Sequence, residues 1–266
     1  MTTRRKPIIA ILFSVITLGV GHMYSGYLKK GLILVIGMYI VILLGGLTNI
    51  YPTFYGYLLL ALLIVSFYIY IIIDAATLAN KNNPYELKVY NKWYFYVLAI
   101  VSISLLSNYL FSNRASFLGY DTYRVPSLAM EPTIKVGDFF VTNARHESLN
   151  IGDVIVFRYP LNREDIYIKR IVGLGGDTIE IKKGKIFINN NEISLVDYDD
   201  ETKSTHASIT MTKTNIPAGH VFTLGDNRTR SADSRHWGFV PENDVLGVAT
   251  YIWYSKEFKR IGMKIK

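Results

Sequence analysis

The strongest constraint on this chain is a set of three apolar runs, residues 31–47, 54–73 and 93–111. Each approaches the ~20 residues that a helix needs to cross the hydrocarbon core of a bilayer. Three in succession imply membrane spans rather than buried helices of a soluble fold, because a helix satisfies its backbone hydrogen bonds internally where no water is present. The lysines set a direction. Lys29 and Lys30 precede the first run, and Lys81, Lys88 and Lys92 lie between the second and third, whereas the connection 48–53 is uncharged. Basic connections face the cytoplasm, so the chain after Phe111 is expected outside it.

Residues 1–30 form a separate case. Arg4-Arg5-Lys6 precedes an apolar run, 7–20, which has the charged and apolar parts of a secretion signal but no small-x-small cleavage site after it. The run is short for a span, and a full crossing would carry Arg4-Arg5-Lys6 outside. A re-entrant or interfacial segment turning at Gly19, Gly21 and Gly26 is therefore preferred to a fourth span. The glycine-rich stretch around His22 and Tyr24 resembles a short module carried by some membrane proteins, which assigns no chemistry. Polar groups at membrane depth are often functional, but with no second ligand close in sequence His22 reads as a structural residue at the turn. Asp74 reads as an interfacial residue just past a span.

From Ser112 onward the pattern changes to short apolar runs separated by turn residues. Residues 139–142, 154–159, 166–172, 178–181, 185–188, 220–224 and 245–253 read as strands, with Gly137-Asp138, Gly152-Asp153, Gly175-Gly176-Asp177, Lys183-Gly184 and Asn189-Asn190-Asn191 as turns. The fold class is thus an N-terminal α-helical transmembrane region (31–111) followed by a mainly β soluble domain (112–266). The polar stretch 197–214 is expected to be an inserted ribbon or a mobile loop.

Charge and composition narrow the function. The net charge is +8, yet residues 1–111 account for +6 of it and the β-rich remainder for only +2. The basic character belongs to the membrane loops, and no basic face for nucleic acid is expected. The chain has no cysteine, which excludes thiol catalysis, disulfides and cysteine–zinc sites.

Taken alone, Lys169 has two readings, a lysine that snorkels from a strand to the surface or a catalytic base. A serine hydroxyl is a weak nucleophile and needs a positioned base. No spaced His/Asp pair suggests a triad, so a Ser–Lys arrangement is the natural variant. A lysine acts as a base only if it is neutral near working pH, and burial in apolar surroundings lowers its pKa. Lys169 sits within Ile166-Tyr167-Ile168-Lys169-Arg170-Ile171-Val172, where alternation places it with Tyr167 and Ile171 on one face and Arg170 on the other.

Three segments in order, PSLAMEPTIKVGD (126–138), YIKRIVGLGGD (167–177) and GDNRTRSADSRHWGFVP (225–241), resemble the bacterial signal peptidase I family, with GDVIVFRYP (152–160) fitting between the first two. The resemblance spans roughly residues 120–254. It implies a nucleophile at position 129, Lys169 as general base, Ser231 hydrogen-bonded to the lysine amine, and Asp233 and Arg235 as a supporting ion pair. It implies an oxyanion hole from the Ser127 hydroxyl and the N–H of residue 129. Met130 and Pro132 would shape the site, and Phe139, Val141 and Ile168 are candidates to line the pockets for small substrate side chains. His236 reads as a surface residue. No metal or organic cofactor is implied. The partners would be signal peptides of exported preproteins and lipids of the cytoplasmic membrane, with Trp253 and Tyr254 at the lipid interface. The domain would lie on the extracytoplasmic side of a multi-pass membrane protein.

Position 129 is alanine, where the family's pattern has the nucleophilic serine. Three readings stay open: a laboratory substitution that prevents self-digestion or traps substrate, a natural non-catalytic homologue that binds signal peptides, or a peptidase using Ser127 as nucleophile. A membrane scaffold or assembly factor acting through residues 1–111 is a rival of another class.

Overall fold

A computed structural model describes residues 2–82, 84–196 and 204–266. The chain forms two compact units, Met1–Tyr51 with Tyr55–Gly119, and Tyr120–Lys266 with Pro52–Phe54.

The first unit is helical. It contains α1 (Pro7–Ile16), α2 (Val20–Tyr24), α3 (Leu28–Leu47), α4 (Phe54–Lys81), α5 (Trp93–Ser112) and α6 (Arg114–Leu118), plus a two-residue antiparallel ladder of β1 (Thr2–Thr3) on β2 (Tyr85–Glu86). Helices α3, α4 and α5 are each long and apolar enough to cross a membrane. They leave much of their apolar surface uncovered, Leu47 and Leu59 being 71% and 64% exposed. Lipid is the solvent that such surfaces suit. Helix α1 has ten residues, about 15 Å of rise and half the hydrocarbon thickness. It stops before Gly19, whose φ of 82° is a left-handed conformation that glycine adopts without a Cβ penalty.

One expectation about this unit needs correction. Helix α4 does not end near residue 73 but continues through Asp74-Ala75-Ala76-Thr77-Leu78-Ala79-Asn80 to Lys81. Asp74 is consequently inside a helix and mostly covered. Its carboxylate meets Nε2 of fully buried His22 at 2.8 Å and Nζ of Lys30 at 2.7 Å. His22 thus has a partner fifty-two residues away that sequence proximity could not reveal. Its role at the turn is to tie α2 to α4, with Ser25 adding a hydroxyl hydrogen bond to the Ala75 carbonyl at 3.0 Å.

The second unit is built of antiparallel strands. A seven-stranded sheet has the order β12-β11-β6-β5-β13-β4-β3, and a four-stranded sheet the order β10-β7-β8-β9. The strands are β3 (Tyr120–Arg124), β4 (Phe139–Asn143), β5 (Val154–Tyr159), β6 (Asn162–Leu174), β7 (Thr178–Lys182), β8 (Lys185–Ile188), β9 (Asn191–Ile193), β10 (Met211–Asn215), β11 (His220–Leu224), β12 (Val240–Pro241) and β13 (Val245–Tyr254). Central strand β5 reads as a continuous apolar run because both its faces are covered: Val154, Ile155, Val156 and Phe157 are all buried. One core lies beneath residues 125–134, where Val125, Met130 and Ile134 pack with Phe140, Val154 and Val156. A second joins the two sheets through Val172, Ile179, Ile188, Ile216 and Phe222.

The β unit starts at Tyr120 rather than 112, because α6 extends the helical part to Leu118 and Gly119 closes it with a φ of 74°. Every strand expected from the sequence is present. Strands β3, β9, β10 and β12 were not expected. All four lie at sheet edges and lack the apolar run that signals a strand. Of the ribbon and the loop expected for 197–214, the last residues follow the ribbon: strand β10 pairs Met211 with Ile181 and Thr214 with Ile179. Residues 197–203 of that stretch lie outside the described residues.

Candidate active site

The turn 126–138 is fastened at both ends. Val125 donates its N–H to the Asp138 carbonyl at 2.9 Å and accepts from Gly137 N–H at 3.0 Å. Buried Met130 and Ile134 anchor its middle in the core. Between these points residues Leu128–Met130 form one 3₁₀ turn, with Ser127 extended before it. Ser127 and Ala129 are therefore not related by strand alternation, yet both line the same cleft. The base of the turn is locked by Asp138, which accepts from Arg260 Nε at 3.1 Å and Nη2 at 2.7 Å. Burial pushes the Asp138 carboxyl up, but hydrogen bonds from Arg260, Ser255 and the Lys135 N–H outweigh it and hold the group below its usual range.

Lys169 lies on β6 opposite Ile155 of β5 and is only 5% exposed. Its Nζ donates to the Ile168 carbonyl at 2.9 Å and rests 5.5 Å from the centroid of the Tyr167 ring. Burial pulls its pKa down to about 8, opposed by the charges of Asp233 and Asp226. At pH 7 about a tenth of the population is then the free amine, against a few parts in ten thousand for an ordinary lysine.

The neighbouring Arg170, assigned by its sequence only to the opposite face, joins four segments through one guanidinium. It pairs with Asp226 through Nε at 2.8 Å and Nη2 at 2.7 Å, and donates from Nη1 to Gly152 O at 2.6 Å and from Nη2 to Thr133 Oγ1 at 3.2 Å. Both Arg170 and Asp226 are essentially inaccessible to water.

The loop after β11 returns to position 129. Asn227 N–H donates to the Ala129 carbonyl at 3.1 Å. Asp233 accepts from Gly225 N–H at 3.0 Å and pairs with Arg235 at 2.7 Å and 2.9 Å. Arg235 Nη2 also donates to the carbonyls of Arg228 at 2.7 Å and Ser231 at 3.2 Å. This ion pair is not the surface pair that the stretch suggests in isolation: Asp233 is fully buried. A Cβ on Gly225 would stand 2.6 Å from the Ala129 carbonyl oxygen and overlap Ser231, so the two segments touch only because residue 225 is glycine. Ser231 is buried, but its hydroxyl donates to the Ala232 carbonyl at 3.3 Å and not to the Lys169 amine. His236 is exposed, its Nδ1 receiving the Asp233 N–H at 3.4 Å.

These elements surround an open cleft of about 470 Å³. Ser127, Ala129 and Lys169 lie along it, with Tyr123, Phe140, Val156 and Ile168 as its apolar wall. Of the expected pocket residues, Ile168 is at the cleft. Phe139 and Val141 are not, because the pleat of β4 turns Phe140 toward it and its two neighbours away. Phe139 instead packs on Trp253 and Tyr254, with ring centroids 5.7 Å from each. Met130 lies in the core below, and Pro132 is exposed beside the turn. Among the described residues no cluster of three or more His, Cys, Asp and Glu is placed to hold a metal.

A β domain with a serine-bearing turn and a buried, weakened lysine on one cleft, on a chain with membrane-length helices, defines the class of membrane-bound serine endopeptidases. Comparison with known proteins fixes the family. Residues 92–254 match the family model described as signal peptidase, peptidase S26. The chain is 32% identical over 231 residues to signal peptidase I of Pseudomonas aeruginosa, covering 68% of this chain and 78% of the relative. It is 32% identical over 182 residues to signal peptidase I of Bacillus caldolyticus, covering 63% and 92%, and 31% identical over 192 residues to that of Aquifex aeolicus, covering 50% and 75%. The chain belongs to the signal peptidase I family of membrane serine endopeptidases.

Proposed function

We propose that the cleft binds the signal peptides of exported preproteins in extended form, and that the chain holds the parts of a Ser–Lys peptidase apart from the attacking hydroxyl at position 129. The observation that carries this reading is Lys169, buried in the wall of a cleft shared with Ser127 and residue 129 and weakened to about 8. A hydroxyl at 129 would attack the substrate carbonyl while the free amine of Lys169 takes its proton and then passes it to the departing amine. The Ser127 hydroxyl and the 129 N–H would receive the developing oxyanion. Asp233 and Arg235 hold the loop that backs position 129. Ser231 orients the amine once its hydroxyl turns from the Ala232 carbonyl. Tyr123, Phe140, Val156 and Ile168 take the small substrate side chains that Phe139 and Val141 do not reach.

This assignment fixes a pH dependence. The base works unprotonated, so cleavage by an Ala129→Ser enzyme should rise with pH through about 8 and fall about tenfold per unit well below it. A kcat profile flat from pH 6 to 9 would remove Lys169 from the role of base.

The same reading places α3, α4 and α5 as three spans, with α1 and α2 as a segment that does not cross. The β unit then lies on the extracytoplasmic face, where Trp253 and Tyr254 meet the headgroup layer. Protease added to intact spheroplasts should digest the chain beyond Phe111 and spare the preceding helices. Full protection of the β unit would overturn the orientation.

A further inference from the structure

The charge around the cleft is one-sided. Its lining includes Arg124 at the end of β3 and Arg230 in the loop before Ser231, besides Lys169, and contains no carboxylate. Both arginines are exposed. Among the described residues neither guanidinium has an ion-pair partner, and Arg124 only approaches the face of the Phe139 ring at 5.9 Å. The acids nearest Arg230 in the chain are engaged, Asp226 holding Arg170 and Asp233 holding Arg235, and Asp121, nearest Arg124, accepts from the Thr122 N–H at 2.7 Å and the Tyr123 hydroxyl at 3.5 Å. Two cations at the mouth of a peptide cleft are an uncommon arrangement to maintain without an anionic partner, since among the described residues no ion pair offsets either charge.

We infer that Arg124 and Arg230 select substrates by charge, pairing with an Asp or Glu side chain in the extended segment that occupies the cleft. The inference rests on the peptide-binding reading above. A guanidinium offers a planar fork of N–H donors that matches a carboxylate in two-point geometry. Both side chains lie on exposed backbone beside the groove, so they act on encounter and affinity and leave the chemistry at position 129 alone.

The test uses the full chain as it stands, in neutral detergent, with a set of fluorescent peptides that carry a small-x-small segment. In each peptide one position on either side of that segment is Glu or Gln. At one position at least, Glu should lower Kd by about two- to fivefold for each arginine engaged. The gain should fade in high salt, disappear in Arg124→Gln/Arg230→Gln, and reverse in Arg124→Glu/Arg230→Glu in favour of a Lys-bearing peptide. Unfolding temperatures check that the variants fold. Binding of all peptides with no effect of charge at any position would overturn the inference and leave the peptide-binding reading standing. So would a Glu preference that survives both double substitutions. Failure of every peptide to bind would overturn both. A response to added anionic lipid with none to peptide charge would assign the arginines to the membrane and overturn the inference as well.

Discussion

Ala129→Ser should raise kcat for precursor cleavage by on the order of 10⁴–10⁶-fold, the scale on which serine peptidases fall when their nucleophile is removed. The change adds one oxygen atom to a position already 94% covered, beneath a carbonyl held by Asn227 N–H and beside a base already weakened by burial. Little reorganisation stands between the alanine and serine forms. Ser127→Ala separates the remaining readings. If Ser127 is an oxyanion donor, its loss in the Ala129→Ser enzyme lowers kcat by about 10²–10³-fold. If Ser127 is instead a substitute nucleophile, the chain as it stands cleaves slowly and Ser127→Ala abolishes that cleavage. Absence of cleavage in Ala129→Ser, with folding and peptide binding intact, would mean that the groups around position 129 are not a working peptidase. Mass analysis of a precursor after incubation with the four proteins reads out every case.

The residues of the site were legible because they come in short segments of special composition, but the bonds between segments were not. Lys169 announced itself as a lysine in an apolar strand, and its burial followed from that position. Arg170 did not. An arginine on the far face of a strand is ordinary, and only the fold shows that this face meets Asp226, Gly152 and Thr133 at once. The contact of His22 with Asp74 was hidden for the same reason, since it depends on how two helices meet rather than on spacing in either. Phe139 and Val141, candidates for the pocket wall under the resemblance, lie on the other face of β4. A period of two assigns residues to faces without saying which face borders a cleft, and here Phe140 has that place. Edge strands escaped because hydrophobic periodicity records burial, and β3 and β10 keep a face in water.

Arg170→Met is expected to be the most damaging single change to the β unit, and it tests whether the four segments are one structure. The guanidinium and the Asp226 carboxylate are 1% and 0% exposed. Removing the cation takes from the buried Asp226 carboxylate the guanidinium that pairs with both its oxygens. Breaking a buried pair from one side costs about 3–5 kcal/mol, which in a domain of this size lowers Tm by roughly 6–20 °C. Asp226→Asn should be comparable, because Arg170 cannot shed its proton. The half-exposed Lys135–Glu257 pair at 2.6 Å serves as a control, and its removal should move Tm far less, since water already solvates both partners. The double variant Arg170→Met/Asp226→Leu should recover part of the loss, for it deletes both charges together. It should not recover peptide binding. The guanidinium also fastens Gly152 and Thr133, so an apolar replacement refills the space while leaving the 126–138 turn without its tie to the strand that carries Lys169. Recovery of stability together with full peptide affinity would show that the pair only fills the core. Recovery of stability alone would show that it sets the position of residue 129 relative to the base.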